Sequence, residues 1–230
     1  MPTLSAKVLS NAPAGTHVRK LTLELEGAES WTFQAGQFVI LPVPPRPEDT
    51  KAPKGFFSIA SSPAELPKLE LLVEHRPEGG YVSGWISALQ PGASVVLDGP
   101  LGHFGLQAGA TQGSVFLGHR AGIAPLRAML LQSLAAGTHQ PHWLFLGGEA
   151  PEDLLLDAEW RSLAQVDEHF HYHPVLSAAG DPTAALLQAL PQRSGLKLYL
   201  AGFSRDVDPM KAALLAAGFA EADLKTEKFG

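Results

Sequence analysis

The chain has 230 residues and no cysteine, which excludes disulfide frameworks, cysteine-ligated zinc, a cysteine nucleophile and any iron–sulfur cluster carried on its own cysteines. Lys and Arg number 17 against 23 Asp and Glu, a formal charge of −6, so phosphate-backbone attraction is a poor source of affinity and no nucleic-acid partner is expected. Hydrophobic residues make up 45% of the chain, yet no apolar run is long enough for a membrane span and residues 1–10 lack a basic-then-apolar leader, so a soluble, cytoplasmic protein is expected.

In the first hundred residues, short apolar stretches at 7–9, 21–25, 37–41, 56–60, 69–74 and 94–97 are punctuated by Pro and Gly. This is strand spacing. Leu21, Leu23 and Leu25 alternate with Thr22 and Glu24, the pattern of a half-buried strand, so an antiparallel β-barrel or sandwich is predicted, with one helix at 82–89. After Gly99-Pro100-Leu101-Gly102 the rhythm becomes strand, glycine-bearing turn, long helix. Strands are predicted at 114–117, 143–146, 170–176 and 197–200, and helices at 125–136, 152–164, 183–190 and 209–217. Alternation at this length implies parallel pairing with right-handed crossovers, a doubly wound α/β domain. Residues 107–112 form the linker, which predicts domains at 1–106 and 113–230.

In such a sheet, ligands bind outside the carboxyl ends of the strands, so the turns at 118–121, 147–150, 177–180 and 202–205 are the places to look for chemistry. The first reads Gly118-His119-Arg120-Ala121-Gly122-Ile123-Ala124-Pro125. Glycines at a strand end let backbone N–H groups approach a pyrophosphate, and a helix N-terminus near Pro125 adds a favourable dipole. Such a turn is also a common structural device, and it is neither a Walker loop nor a strict G-x-G-x-x-G. In the first half, Gly55-Phe56-Phe57-Ser58-Ile59-Ala60-Ser61-Ser62-Pro63 is a strand ending in small and hydroxyl residues, able to offer hydroxyls and amides to a heteroaromatic ring or to serve as a plain turn.

Together with Gly79-Gly80-Tyr81-Val82-Ser83, Gly99-Pro100-Leu101-Gly102-His103-Phe104 and the terminal Thr226-Glu227-Lys228-Phe229-Gly230, these segments follow one another in a characteristic order. By that order the chain resembles the ferredoxin–NAD(P) reductase superfamily over nearly its whole length. The resemblance implies a flavin-binding β-barrel at 1–106 and an NAD(P)-binding α/β domain at 113–230, with FAD rather than FMN as the flavin. It also implies that the protein passes hydride from NAD(P)H to FAD and electrons on to a separate ferredoxin, flavodoxin or oxygenase component.

The resemblance places Ser58 near flavin N5, Phe57 and Ile59 along the flavin, and Gly80, Tyr81, Val82 and Ser83 around its phosphate. Gly55 stands where the family's Arg-x-Tyr-Ser motif has its arginine, so Lys54 or Arg76 is expected to supply the positive charge. Gly118, Ala121, Gly122, Ile123, Ala124 and Pro125 correspond to the nicotinamide-dinucleotide loop, with His119 and Arg120 where small residues are usual. Gly202 lies in the segment beside the nicotinamide ring, where Ala201 replaces the family's cysteine. Ser177 ends the third strand and is followed by Ala178 rather than arginine, which favours NAD over NADP, although Arg193 and Arg205 sit near adjacent turns. Glu227 and Phe229 correspond to the acidic and aromatic residues close to the flavin.

Three departures in three motifs keep open an alternative: a degenerate member, a flavin-binding or interaction module without nicotinamide turnover. Other classes fit less well. His169, His171 and His173 share one strand face beside His142, but at the amino ends of the strands, so packing is expected rather than a metal site. Gly202-Phe203-Ser204 lacks the second glycine of a nucleophile elbow, and no histidine follows His173 to complete a serine-hydrolase order.

Overall fold

The computed structural model describes residues 2–75, 80–137, 139–191 and 194–229. They group into two compact units, one of residues 1–105 with 127–132, the other of residues 106–126 with 133–230.

The first unit is an antiparallel sheet of β1 (Thr3–Pro13), β2 (Val18–Leu25), β3 (Phe38–Pro42), β4 (Lys54–Ser58), β5 (Lys68–Glu74) and β6 (Ser94–Leu101), in the order β4-β3-β6-β1-β2-β5. An antiparallel bridge between Ile59 and Leu71 brings the two edges together and closes the barrel. The helix α1 (Tyr81–Ser87) is shorter than predicted. Alternation drives the packing: Leu21, Leu23, Leu69, Leu71 and Leu97 are fully buried, each contributing about 1.5–3 kcal/mol of transfer free energy. Thr22 is buried too, so β2 is covered on both faces there, whereas a bulge in β1 between Val8 and Ser10 leaves Leu9 exposed. Buried Glu70 is compensated by Arg127, whose Nη1 stands 3.1 Å from its carboxylate, and by Lys20 at 3.4 Å. A charge at this depth requires such partners.

The second unit is a parallel sheet of β7 (Gly113–His119), β8 (His142–Gly148), β9 (Phe170–Leu176), β10 (Leu196–Phe203) and β11 (Leu224–Phe229), ordered β11-β10-β7-β8-β9. The helices are α2 (Ile123–Ala135), α3 (Asp157–Val166), α4 (Pro182–Ala189) and α5 (Ser204–Ala216). Strand order runs outward from β7 to β9 and then resumes at β10 on the other side of β7. This reversal is a topological switch point, and it opens a crevice at the carboxyl ends of β7 and β10.

Three further elements differ from the sequence reading. The helix predicted from 152 begins at Asp157, because Leu154 and Leu155 are drawn into the core and Leu156 adopts a left-handed conformation at φ 62°. The last helix starts at Ser204, not Pro209, and the proline is accommodated inside it. Residues 224–229 form a strand, β11, which the sequence reading did not assign.

His142, His171 and His173 of the second unit are engaged in packing. His173 stacks on Phe145 at 4.4 Å and His171 on Trp143 at 5.6 Å, while buried His142 lies 2.7 Å from the Gln140 carbonyl and 2.6 Å from Ser133 Oγ. Among the described residues no group of three or more His, Cys, Asp or Glu is placed to hold a metal ion. No helix among them is long and apolar enough to cross a membrane.

Candidate functional site

At the switch point β7 reaches Gly118, paired with Ala201 of β10 and Leu146 of β8. The chain then makes a tight turn over Arg120–Gly122 into α2, which begins at Ile123, two residues before Pro125. A side chain on Gly122 would place its Cβ 2.0 Å from the Ala201 carbonyl oxygen, so only glycine lets this turn approach β10 so closely. Ala121, Gly122, Ile123, Ala124 and Pro125 are all buried, so the turn is packed tightly at the end of β7. Gly202 follows at φ 152°.

The two bulky residues of the turn have different surroundings. Arg120 has φ 50°, with its Nε 3.8 Å from an Asp153 carboxylate that itself accepts from the Glu149 and Ala150 amides. His119 lies over Gly147, where an added Cβ would meet its Cδ2 at 2.7 Å. It therefore lines a cleft of about 450 Å³ at the strand ends between α4 and α5, a volume within the range of small-molecule sites.

Val175, Pro182, Pro209 and Met210 make that cleft apolar, and Ser177, Thr183, Arg205 and Asp206 give it polar edges. The Ser177 hydroxyl donates to the Gly148 carbonyl at 3.2 Å. Asp181 caps α4 by accepting from the Thr183 and Ala184 amides at 2.8 and 3.0 Å. Arg205 stands over the Phe203 ring at 5.2 Å, while Arg193 lies outside the described residues. Thr183 and Asp206 carried no binding signal in the sequence, because only the fold brings α4 and α5 to the end of β7, whereas His119 stood out as a bulky residue in the dinucleotide loop.

On β11, Glu227 pairs with Ala201, and Phe229 packs edge-to-face against Phe203 at 6.0 Å. Lys228 forms an ion pair with Asp208. Burial pushes the Glu227 carboxyl above the usual glutamate value of 4.5.

In the first unit, Ser58 pairs with Phe38 at the end of β4 and is 8% exposed, and its hydroxyl makes no hydrogen bond among the described residues. Phe57 packs against the barrel core and Ile59 is fully buried. The ring of Phe57 is folded over Gly55, where an added Cβ would lie 2.2 Å from Phe57 Cε2. Space for an arginine at this position is thus taken by the neighbouring aromatic ring. Lys54 is exposed at the start of β4, and Arg76 lies outside the described residues, as do Gly79 and Gly230.

Gly80 precedes α1 with no side-chain cap, and a Cβ there would meet Ser83 Oγ at 3.0 Å. Val82 packs on the barrel core, and Tyr81 donates its hydroxyl to the Pro44 carbonyl at 2.7 Å. Above the Tyr81 ring, at 4.9 Å, lies the guanidinium of Arg46, held by Asp49 at 2.8 Å. Arg46 was not singled out from the sequence, since it sits in a proline-rich loop with no motif around it. A glycine-lined helix start and an unpaired hydroxyl on an aromatic-flanked strand fit a phosphate-bearing heteroaromatic cofactor such as a flavin.

Residues 5–105 match the Oxidoreductase FAD-binding domain family and residues 117–200 the Oxidoreductase NAD-binding domain family. The chain is 34% identical over 207 residues to ferredoxin--NADP reductase B of Sorangium cellulosum, covering 89% of this chain and 82% of that protein. It is 30% identical to the reductase component of a Gordonia propane 2-monooxygenase, covering 77% of this chain and 50% of that protein, so the chain spans about half of that relative's length. Its structure is similar to that of an Amycolatopsis cytochrome P450 reductase, with a TM-score of 0.88, 29% identity, and coverage of 99% of this chain and 70% of the other. A Neisseria gonorrhoeae ferredoxin NADP+ reductase with bound FAD and NADP shares the fold, with a TM-score of 0.84 at 20% identity and 99% coverage of both chains. The chain belongs to the ferredoxin–NAD(P) reductase superfamily, whose FAD-binding and NAD-binding domains it carries in that order.

Proposed function

We propose that this protein is an NAD(P)H-dependent flavin oxidoreductase that takes hydride onto FAD and delivers electrons to a separate ferredoxin, flavodoxin or oxygenase component. The observation that carries this is the switch-point turn of an NAD-binding domain, pressed by Gly122 onto β10, following a barrel that matches an FAD-binding domain. When bound, the flavin supplies a ring that accepts a hydride and releases electrons singly.

The chain's own residues bind and orient. The Ser58 hydroxyl, free of partners among the described residues, offers a hydrogen bond to the flavin ring, and Phe57 and Ile59 shape the wall beside it. Gly80, Tyr81, Val82 and Ser83 receive the flavin phosphate, with Lys54, Arg76 and the newly found Arg46 as cations for it. Gly118, Ala121, Gly122, Ile123, Ala124 and Pro125 form the backbone surface for the dinucleotide pyrophosphate, while Ser177 borders the adenosine cleft and Gly202 the nicotinamide end. Glu227, whose burial favours the protonated form, is the titratable group at this end of β11, and Phe229 is fixed by Phe203 as an aromatic cover. NAD is the preferred donor, because Ser177 is followed by Ala178 rather than a cation. A cytoplasmic setting with domains at 1–106 and 113–230 belongs to the same proposal.

Anaerobic titration of FAD-reconstituted protein with NADH and with NADPH, followed by flavin absorbance, tests it. Bleaching at stoichiometric donor is the expected result. Bound flavin that neither donor bleaches would refute turnover, and failure to retain FAD would refute the flavin site.

A further inference from the structure

The cleft between α4 and α5 contains a carboxylate that the fold alone does not explain. Asp206 lies in the first turn of α5, where an acid is favoured by the helix dipole. Yet it lines the cleft, and among the described residues its carboxylate accepts no hydrogen bond. Its neighbours are His119 Nδ1 at 4.0 Å and Arg205 Nε at 3.9 Å, both beyond hydrogen-bond reach. The carboxylate is 22% exposed and keeps its acceptor capacity for something in the cleft.

A second observation also points to a ligand. Thr183, only 3% exposed, lines the same cleft, and its hydroxyl has no hydrogen-bond partner among the described residues. Buried hydroxyls are nearly always paired, so an orphan in the wall of a cleft is a place for a ligand's polar group.

The charge balance of the cleft then matters. Its charged lining groups are Asp181, Arg205 and Asp206. Asp181 is committed to capping α4. Arg205 is 72% exposed, and its attraction for an anion is offset by Asp206 beside it.

We propose that Asp206 is a specificity-determining residue of the donor site. It accepts from a free ribose hydroxyl and repels a 2′-phosphate, so that the protein takes NADH in preference to NADPH. This rests on the assignment of the cleft to the adenosine half of the donor. Removing the carboxylate takes the summed charge of Asp181, Arg205 and Asp206 from −1 to 0, so that the cleft no longer repels a phosphate.

The test is calorimetric binding of NAD+, NADP+, 5′-AMP and 2′,5′-ADP to the full chain and to its Asp206→Asn variant, which keeps side-chain size. The wild type is expected to bind NAD+ more tightly than NADP+, and Asp206→Asn to narrow that ratio by about tenfold, the effect of one charge a few ångströms away in a partly screened site. The AMP and 2′,5′-ADP pair should follow the same trend, and the change should shrink in high salt. A ratio altered less than twofold, or a wild type that already prefers NADP+, overturns the assignment to Asp206 while leaving the cleft as the donor site. If neither dinucleotide nor either fragment binds the wild type, the donor-site assignment falls, and the specificity role falls with it.

Discussion

Substituting Gly122 by alanine tests the switch-point geometry directly. The new Cβ would lie 2.0 Å from the Ala201 carbonyl oxygen, 2.7 Å from its carbonyl carbon and 3.0 Å from Gly202 Cα, where ordinary contact begins near 3.4 Å. All three are backbone atoms of β10, which is paired on both sides by β7 and β11, so no rotamer change relieves the clash. Overpacking of this kind costs about 1–3 kcal/mol, and a rigid neighbour puts it at the upper end. The opposing gain, reduced freedom of the unfolded chain, is only about 0.4–1 kcal/mol. A net loss of about 2 kcal/mol lowers the melting temperature of a protein this size by roughly 4–8 °C. Circular dichroism melting measures it, and calorimetry with NAD+ should show weakened binding in the same variant. Gly84→Ala is the control: it lies inside α1 with nothing within 4 Å of the added carbon, and should be neutral or stabilising. A Gly122→Ala protein that melts within a degree of wild type and binds NAD+ unchanged would refute the close-approach argument.

Further expectations follow from buried polar groups. Burial raises the Glu227 pKa, so the folded state holds that proton more firmly than the unfolded chain; its stabilising contribution is full below about 4.5, the usual value, and disappears as pH rises through the folded value. Glu227→Gln should therefore flatten the stability profile above that range and slow flavin reduction, as seen in denaturant titrations across pH and in stopped-flow traces. Burial lowers the His142 pKa, so the folded chain refuses a proton that the unfolded chain accepts below 6.5. Stability present above that value is lost as pH falls, by at most about 1.4 kcal/mol per pH unit for one proton. His142→Asn should reduce that slope in urea titrations between pH 7.5 and 5.5, and an unchanged slope would remove His142 as the cause. Tyr199→Phe removes the hydroxyl that accepts from the half-buried Gln107 amide at 2.8 Å and should cost about 0.5–1.5 kcal/mol, measured as a shift in urea midpoint.

Much of the architecture was legible in local patterns. Alternating leucines in β2 and apolar stretches spaced by Pro and Gly announce an antiparallel barrel, because pleating sends successive side chains to opposite faces. Strand, glycine turn and helix in repetition announce a parallel sheet, and the carboxyl-end rule then directs attention to Gly118–Gly122 and Gly202. The ordered motifs carried the family. Where the sequence reading failed, tertiary packing had overridden local preference. Leu154 and Leu155 enter the core and delay α3, and residues 224–229 become a strand because β10 offers an edge to pair with.

The side chains around the cleft were decided only by the fold. His119, Thr183 and Asp206 are separated by 64 and 23 residues in the chain, and no spacing rule links them. They meet because parallel strands bring their carboxyl ends to one side of the sheet, so that β7 presents His119 where α4 and α5 begin. The same holds for Phe57 lying over Gly55. The missing arginine could be read from the sequence, but that an aromatic ring occupies its place depends on which face of β4 both residues share. Sequence pattern determines which backbone elements form and what kind of ligand their turns suit. Tertiary structure determines which charges and hydroxyls confront that ligand, because Coulomb and hydrogen-bond energies depend on separation in space and not along the chain.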